Sequence, residues 1–391
     1  MMQRPIGILT FHRARNDGSI LQTICLSNLL KQAFGTDSVS VVDYFPRATD
    51  SLITVNFLRS MRSHFRQMSD AREKYLRQNA NMTLTAPLMT ANILRLLLSY
   101  VGVRHLVMGS DTIWDPANHE TKKSHFNPYF FDMSSLEPGL SHSYFAASSD
   151  PDFGASLTSI QSESLSQGLR SARFIGCRDE DTRRLVTGLV PEVRVNYLPD
   201  PTLLFWPEDL VPSAMNNRTS ASVMRIGIQI GASKIAEQVI QDLSNSGYTC
   251  VNLYRGEFLE APSSDGYSTF SRSIMARQQL DGLVTDRFHG AIIFFQTNRH
   301  RNCPVVMLRH ANKWTHGMSK IEDLFIRLDA AENVISVGQF LSSDDLERIK
   351  GGLNCARLKR SSQLFEAACA LRETSMGALS AFFTAIEASL K

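Results

Sequence analysis

A chain of 391 residues exceeds what one hydrophobic core usually spans, so its length implies two domains of ordinary size. With 43% hydrophobic and 20% charged residues, the balance is that of a globular protein able to bury a core, which excludes a disordered or fibrous chain. The formal charge of +3 is spread over 41 basic and 38 acidic side chains without a block of one sign, so nothing in it argues for nucleic acid as a partner.

Residues 1–5 run straight into a short apolar stretch without a secretory pattern, and the most apolar run, 93–103, is broken by Arg95 and falls well short of the ~20 residues a membrane span needs. These features imply a cytoplasmic protein with no integral membrane segment, leaving peripheral attachment at the inner face of a membrane open. The six cysteines are scattered, without a C-x-x-C pair or a neighbouring histidine cluster. They are expected to be free thiols, with no metal site.

In chain order, residues 6–10 read as a short buried strand, 11–18 as a polar loop and 19–32 as an apolar-periodic helix. A β-rich run over 39–44 then completes a βαβ unit of a parallel sheet, although no G-x-G-x-x-G follows the first strand. Residues 51–100 have helical spacing and are expected to form a helical insertion. Strands over 105–108 and 143–147 end in Gly109-Ser110-Asp111 and Ser148-Ser149, placing small polar residues where open α/β sheets bind ligands.

Residues 206–222 have the composition of a linker, so an N-terminal α/β domain is expected over 1–205 and a second over 223–342. In the second, strands at 225–230, 250–254 and 282–285 alternate with helices at 233–244 and 271–280. A last clear strand at 305–308 and a helix at 319–327 follow, and 343–391 reads as C-terminal helices. The fold class is thus α/β, with two parallel sheets.

The segment Thr285-Asp286-Arg287-Phe288-His289-Gly290 lies at a strand-to-helix corner. Backbone N–H groups and the macrodipole at a helix start favour an anion there. Arg287 adds a planar fork that matches phosphate or carboxylate, and His289 can exchange a proton near neutrality. The structural alternative is that Asp286 caps the helix, Arg287 pairs with a distant carboxylate and His289 is a satisfied, partly buried residue. Gly231-Ala232-Ser233-Lys234 makes a second strand-to-helix turn of the same kind. His310 and His316, which flank Lys313, have no partner at metal-ligand spacing and are read as supporting or surface residues.

Several short segments, in order from about residue 8 to residue 313, together resemble the polysaccharide pyruvyl transferase family. They are Asn16-Asp17-Gly18-Ser19-Ile20-Leu21-Gln22, Gly109-Ser110-Asp111-Thr112-Ile113-Trp114, Tyr144-Phe145-Ala146-Ala147-Ser148, Arg178-Asp179-Glu180, Asp200-Pro201-Thr202-Leu203-Leu204 and Asp286-Arg287-Phe288-His289-Gly290. Thr112 departs from the glutamine usual in the second segment. Residues 51–100 and those after 343 have no counterpart in the pattern.

The resemblance implies two Rossmann-like domains facing across a cleft, as in GT-B glycosyltransferases. It implies transfer of the pyruvyl group of phosphoenolpyruvate onto a sugar hydroxyl pair as a ketal, with phosphoenolpyruvate as co-substrate, no separate cofactor and a carbohydrate acceptor, free or lipid-linked. His289 and Arg287 would be catalytic. Arg178, Arg287, Gly290 and Lys313 would hold the donor, and Asn16, Gly18, Ser110 and Asp111 the acceptor. Arg178 has the competing reading of an ion pair with carboxylates at its own helix start, Lys313 that of a solvated loop residue, and Trp114 is expected in the core rather than stacked on a sugar. The alternative activity is a GT-B-type glycosyl transfer from a nucleotide sugar, whose diphosphate the same corner suits.

Overall fold

The computed structural model describes residues 5–11, 17–43, 63–83, 91–114, 128–130, 132–150, 153–210, 223–253, 269–310 and 319–391. The chain divides into two units, Met1–Phe205 with Arg372–Lys391, and Trp206–Leu371.

In the first unit β1 (Ile6–Leu9) leads into α1 (Asp17–Phe34) and β2 (Val39–Val41). The helices α2 (Ser63–Asn79) and α3 (Ala91–Val101) precede β3 (His105–Trp114) and β4 (Ser141–Ser149). After α4 (Ser159–Ser171) come β5 (Ile175–Cys177), α5 (Glu180–Leu189) and β6 (Val195–Tyr197). The six strands lie in the order β2-β1-β3-β4-β5-β6, and every pairing is parallel. Central strands of such a sheet are covered on both faces; β1 reads as a continuous apolar run for that reason, and β4 is buried from His142 to Ser149.

The second unit repeats the plan with β7 (Arg225–Gln229), α6 (Ser233–Asn245), β8 (Thr249–Asn252), α7 (Thr269–Met275) and β9 (Gly282–Thr285). It continues through α8 (Phe288–Thr297), β10 (Val305–His310), α9 (Lys320–Arg327), β11 (Val334–Val337), α10 (Ser343–Asn354) and α11 (Ser361–Thr374). Its strand order is β11-β10-β9-β7-β8, also all parallel. Counted within each unit, both sheets begin with strand order 2-1-3-4-5. The chain first adds a strand on one side of its opening strand and then on the other, which creates a topological switch point between β1 and β3 and between β7 and β9.

The structure corrects one reading of the C-terminal third: the strand at Val305 is not the last, because β11 follows it. The last of the C-terminal helices, α12 (Met376–Leu390), packs in the first unit, where fully buried Phe382 meets Phe145 at 4.8 Å and Phe174 at 5.5 Å between ring centroids. Helices of the 51–100 region lie on the first unit, with Tyr75 and Leu76 of α2 and Leu94, Leu97 and Leu98 of α3 buried. Trp114 is fully buried in the core, edge-on to Tyr144. The beginning of the expected linker is tied to the second unit, where Ser271 donates its hydroxyl to Asp209 at 3.1 Å; residues 211–222 lie outside the described residues. Among the described residues, no helix is long and apolar enough to cross a membrane.

Candidate functional site

At the switch point of the second sheet, β9 ends in Thr285, whose hydroxyl donates to the Gln229 carbonyl at 2.8 Å and accepts the Arg287 N–H at 3.0 Å. These bonds clamp the corner to the end of β7. The Asp286 side chain, only 7% exposed, then gathers three groups from three strand ends. Both its oxygens accept the Gly231 N–H at 3.0 Å, one lies 3.2 Å from Arg287 Nε and the other 3.0 Å from His310 Nε2. Asp286 therefore does not cap α8, as the structural alternative supposed. The N-cap is Arg287, and its side chain makes no capping bond.

Arg287 is half exposed, and its guanidinium lies on Gly231 so closely that a Cβ at that position would collide with it. Glycine at 231 is thus a space requirement of the arginine. His289 is half-buried in the first turn of α8, its ring edge-on to Phe288 at 5.1 Å. Gly290 is buried, and an added Cβ would lie 2.5 Å from Gln229 Oε1 and 2.9 Å from Thr285 Oγ1. Its small size lets the helix start pack against the sheet, bringing the positive end of the α8 dipole to the corner.

The corresponding place in the first sheet is a buried polar cluster. The Thr10 hydroxyl donates to the Ser110 carbonyl at 3.0 Å, tying the end of β1 to the middle of β3, which does not end before Gly109 as expected but runs on to Trp114. Beside it the Gly109-Ser110 peptide is cis, and Asp111 has φ 93. A φ in the left-handed region costs a residue with a Cβ about 1–3 kcal/mol. It is held there by its own side chain, which accepts the Thr112 N–H at 2.8 Å and the Ser19 hydroxyl at 3.0 Å. The Ser110 hydroxyl is buried and meets no hydrogen-bond partner among the described residues.

Behind these residues Asp200 is fully buried. One of its oxygens accepts Arg178 Nη1 at 2.7 Å and Gln22 Nε2 at 2.6 Å, and the other accepts the N–H and hydroxyl of Thr202 at 3.1 and 2.6 Å. Burial alone would push the Arg178 guanidinium down, but the Asp200, Asp111 and Asp179 carboxylates outweigh it and hold it above its ordinary value. Asp179 caps α5 through the Thr182 N–H at 2.8 Å and accepts the Ser148 hydroxyl at 2.6 Å. The Cys25 thiol is pushed up by burial and then by Asp200, which makes it an inert core group.

The structure thus brings Arg287, His289 and Gly290 to one corner and Gly18, Ser110 and Asp111 to the neighbourhood of the other. Arg178 lies in the unit that carries Ser110 and Asp111, as its place within 1–205 implied; its 2.7 Å ion pair is with Asp200, while the Asp179 carboxylate at its own helix start also acts on it. Of the two readings of His310, supporting or surface, the geometry fits the first: it is a direct partner of Asp286 and 15% exposed. Asn16, Lys313 and His316 lie outside the described residues. Gln22, Asp200 and Ser19 were overlooked as cluster members, although all three stand inside motif segments. Among the described residues, no group of three or more His, Cys, Asp or Glu is placed to hold a metal ion.

No protein-family model matches the chain, and no curated protein matches it. Solved structures show a distant likeness. The glycosyltransferase SnogD from Streptomyces nogalater is similar over 95% of this chain and 94% of its own, with 13% identity and a TM-score of 0.36. A mutant O-GlcNAc transferase from Thermobaculum terrenum is similar over 100% of this chain and 67% of its own, with 12% identity and a TM-score of 0.42. Likeness at this level bears on no activity.

Proposed function

We propose that this chain is a group transferase whose donor carries a phosphate ester bound at the switch point of the second sheet, and that the donor is phosphoenolpyruvate, giving up its pyruvyl group to a sugar hydroxyl pair. The observation that carries the reading is Arg287 clamped by Asp286 over Gly231, with His289 in the first helical turn that follows. A half-exposed guanidinium at a positive helix end suits a small multiply charged anion, and each charge-assisted contact contributes about 1.5–3 kcal/mol. The carbohydrate acceptor and the pyruvyl donor rest on the resemblance of the motif series.

On this reading His289 protonates the methylene carbon of the enol ester, the adjacent carbon becomes electrophilic and a sugar hydroxyl attacks it. Phosphate leaves with its bonding pair, and the second hydroxyl closes the ketal. The test is to incubate the protein with phosphoenolpyruvate and a panel of free and lipid-linked glycosides, measuring phosphate release and the product mass. Phosphate release coupled to a pyruvylated glycoside is expected; its absence across the panel overturns the pyruvyl reading.

A second reading is glycosyl transfer from a nucleotide sugar. The shared 2-1-3-4-5 strand order favours it, because doubly wound sheets bind nucleotides at their switch points. It predicts release of a nucleoside diphosphate and no requirement for phosphoenolpyruvate.

A further inference from the structure

We propose that His310, oriented by Asp286, is a second proton-handling residue of the site and takes up the proton of the attacking hydroxyl. The inference rests on the group-transfer reading above but not on the identity of the donor. Its basis is the pairing of Nε2 with Asp286 at 3.0 Å, in a carboxylate that also holds Arg287 and the Gly231 backbone. An ionised carboxylate only accepts hydrogen bonds, so Nε2 carries the proton and Nδ1 is the basic nitrogen of the neutral ring. The arrangement is that of a base whose tautomer is fixed by an acid behind it.

The chemistry requires such a group. In ketal formation two hydroxyl protons leave the sugar; one ends on the carbon that becomes the methyl group and the other on the released phosphate. His289 serves the carbon, where the enol ester must gain a proton as the first C–O bond forms. A hydroxyl must meanwhile lose one as it bonds to the electrophilic carbon. His310 receives that proton and passes it to the phosphate as the carbon–oxygen bond to phosphate breaks. For a nucleotide sugar the same residue accepts the acceptor's proton while the bond from the sugar's anomeric carbon to the diphosphate breaks.

On the strand of His310 itself, Arg309 pairs with Glu322 of α9 at 2.7 Å, and on the β9 side stand Asp286 and the Arg287 guanidinium attached to it. Asp286 is accordingly a positioning residue, serving the guanidinium and the imidazole together.

His310→Gln tests the inference, because the glutamine amide can still donate to Asp286 while the basic nitrogen is gone. We expect kcat to fall about 100- to 10,000-fold and the acid limb of the kcat–pH profile to disappear. Inorganic phosphate binding, read by calorimetry, should stay within about twofold of wild type. Full kcat with an unchanged acid limb in this variant overturns the role of His310, and so does a loss confined to phosphate binding. No turnover by the wild type, with either phosphoenolpyruvate or a nucleotide-sugar panel, overturns the parent reading and this inference with it.

Discussion

Arg178 and Arg287 come from the same motif series yet sit in opposite electrostatic settings. Arg178 is 3% exposed and faces a fully buried carboxylate. Its removal strands Asp200 without its ion pair, so Arg178→Ala should cost about 3–5 kcal/mol of stability, read by urea unfolding. Arg287 is 48% exposed, so Arg287→Ala should leave stability within about 0.5 kcal/mol while weakening donor binding roughly tenfold to a hundredfold. Gly231→Ala separates position from charge. Its Cβ meets only the guanidinium end, so calorimetry should show donor affinity falling as in Arg287→Ala while the melting temperature barely moves. Of these residues the sequence made Arg287, His289 and Gly290 legible, because strand, corner and helix are contiguous. It hid the Asp286–His310 pair, 24 positions apart, and the Gln22–Asp200 bond, 178 positions apart, because both depend on which strand ends lie side by side.

At the scale of elements, the longer strands and helices were legible from periodicity, and β9 spans the residues expected of it. The three-residue strands β5 and β6 and the four-residue β11 were missed, since so few residues show no alternation and only parallel neighbours define them. Helical spacing marked the 51–100 region but not its partners, which are set by the first unit's surface. Two changes test whether these elements hold the first unit together. Phe382→Ala should cost about 3–5 kcal/mol, because its ring fills the space between Phe145 and Phe174. Gly109 has φ 114 and no room for a Cβ against the Phe145 carbonyl, so Gly109→Ala should cost about 2 kcal/mol or more. Chemical denaturation of each variant measures both.

Across the whole molecule, two sheets of one strand order place a polar corner at each switch point, and the βα alternation of the sequence foretold the sheets but not that order. The first unit also carries an acid sensitivity independent of either corner. Burial, with His142 and Arg173 nearby, lowers His105 to about 3. Burial likewise lowers His142 to about 4, against the opposing pull of the Gly168 carbonyl and Asp132. An unfolded histidine titrates near 6.5, so below that pH the unfolded chain binds protons that the folded unit refuses, and stability falls as pH falls. By pH 5 the loss should be about 2 kcal/mol per histidine, measurable as a lower denaturant midpoint than at pH 7. An unchanged midpoint would show that these imidazoles are not held neutral. The most direct measurement of the central claim is the transfer assay on wild type and Arg287→Ala, with phosphoenolpyruvate as sole donor and a glycoside panel as acceptor. The account predicts phosphate release coupled to a pyruvylated product in the wild type, with the loss in the variant restored in part by raised donor concentration. Turnover that ignores phosphoenolpyruvate, or that is the same in both proteins, would contradict it.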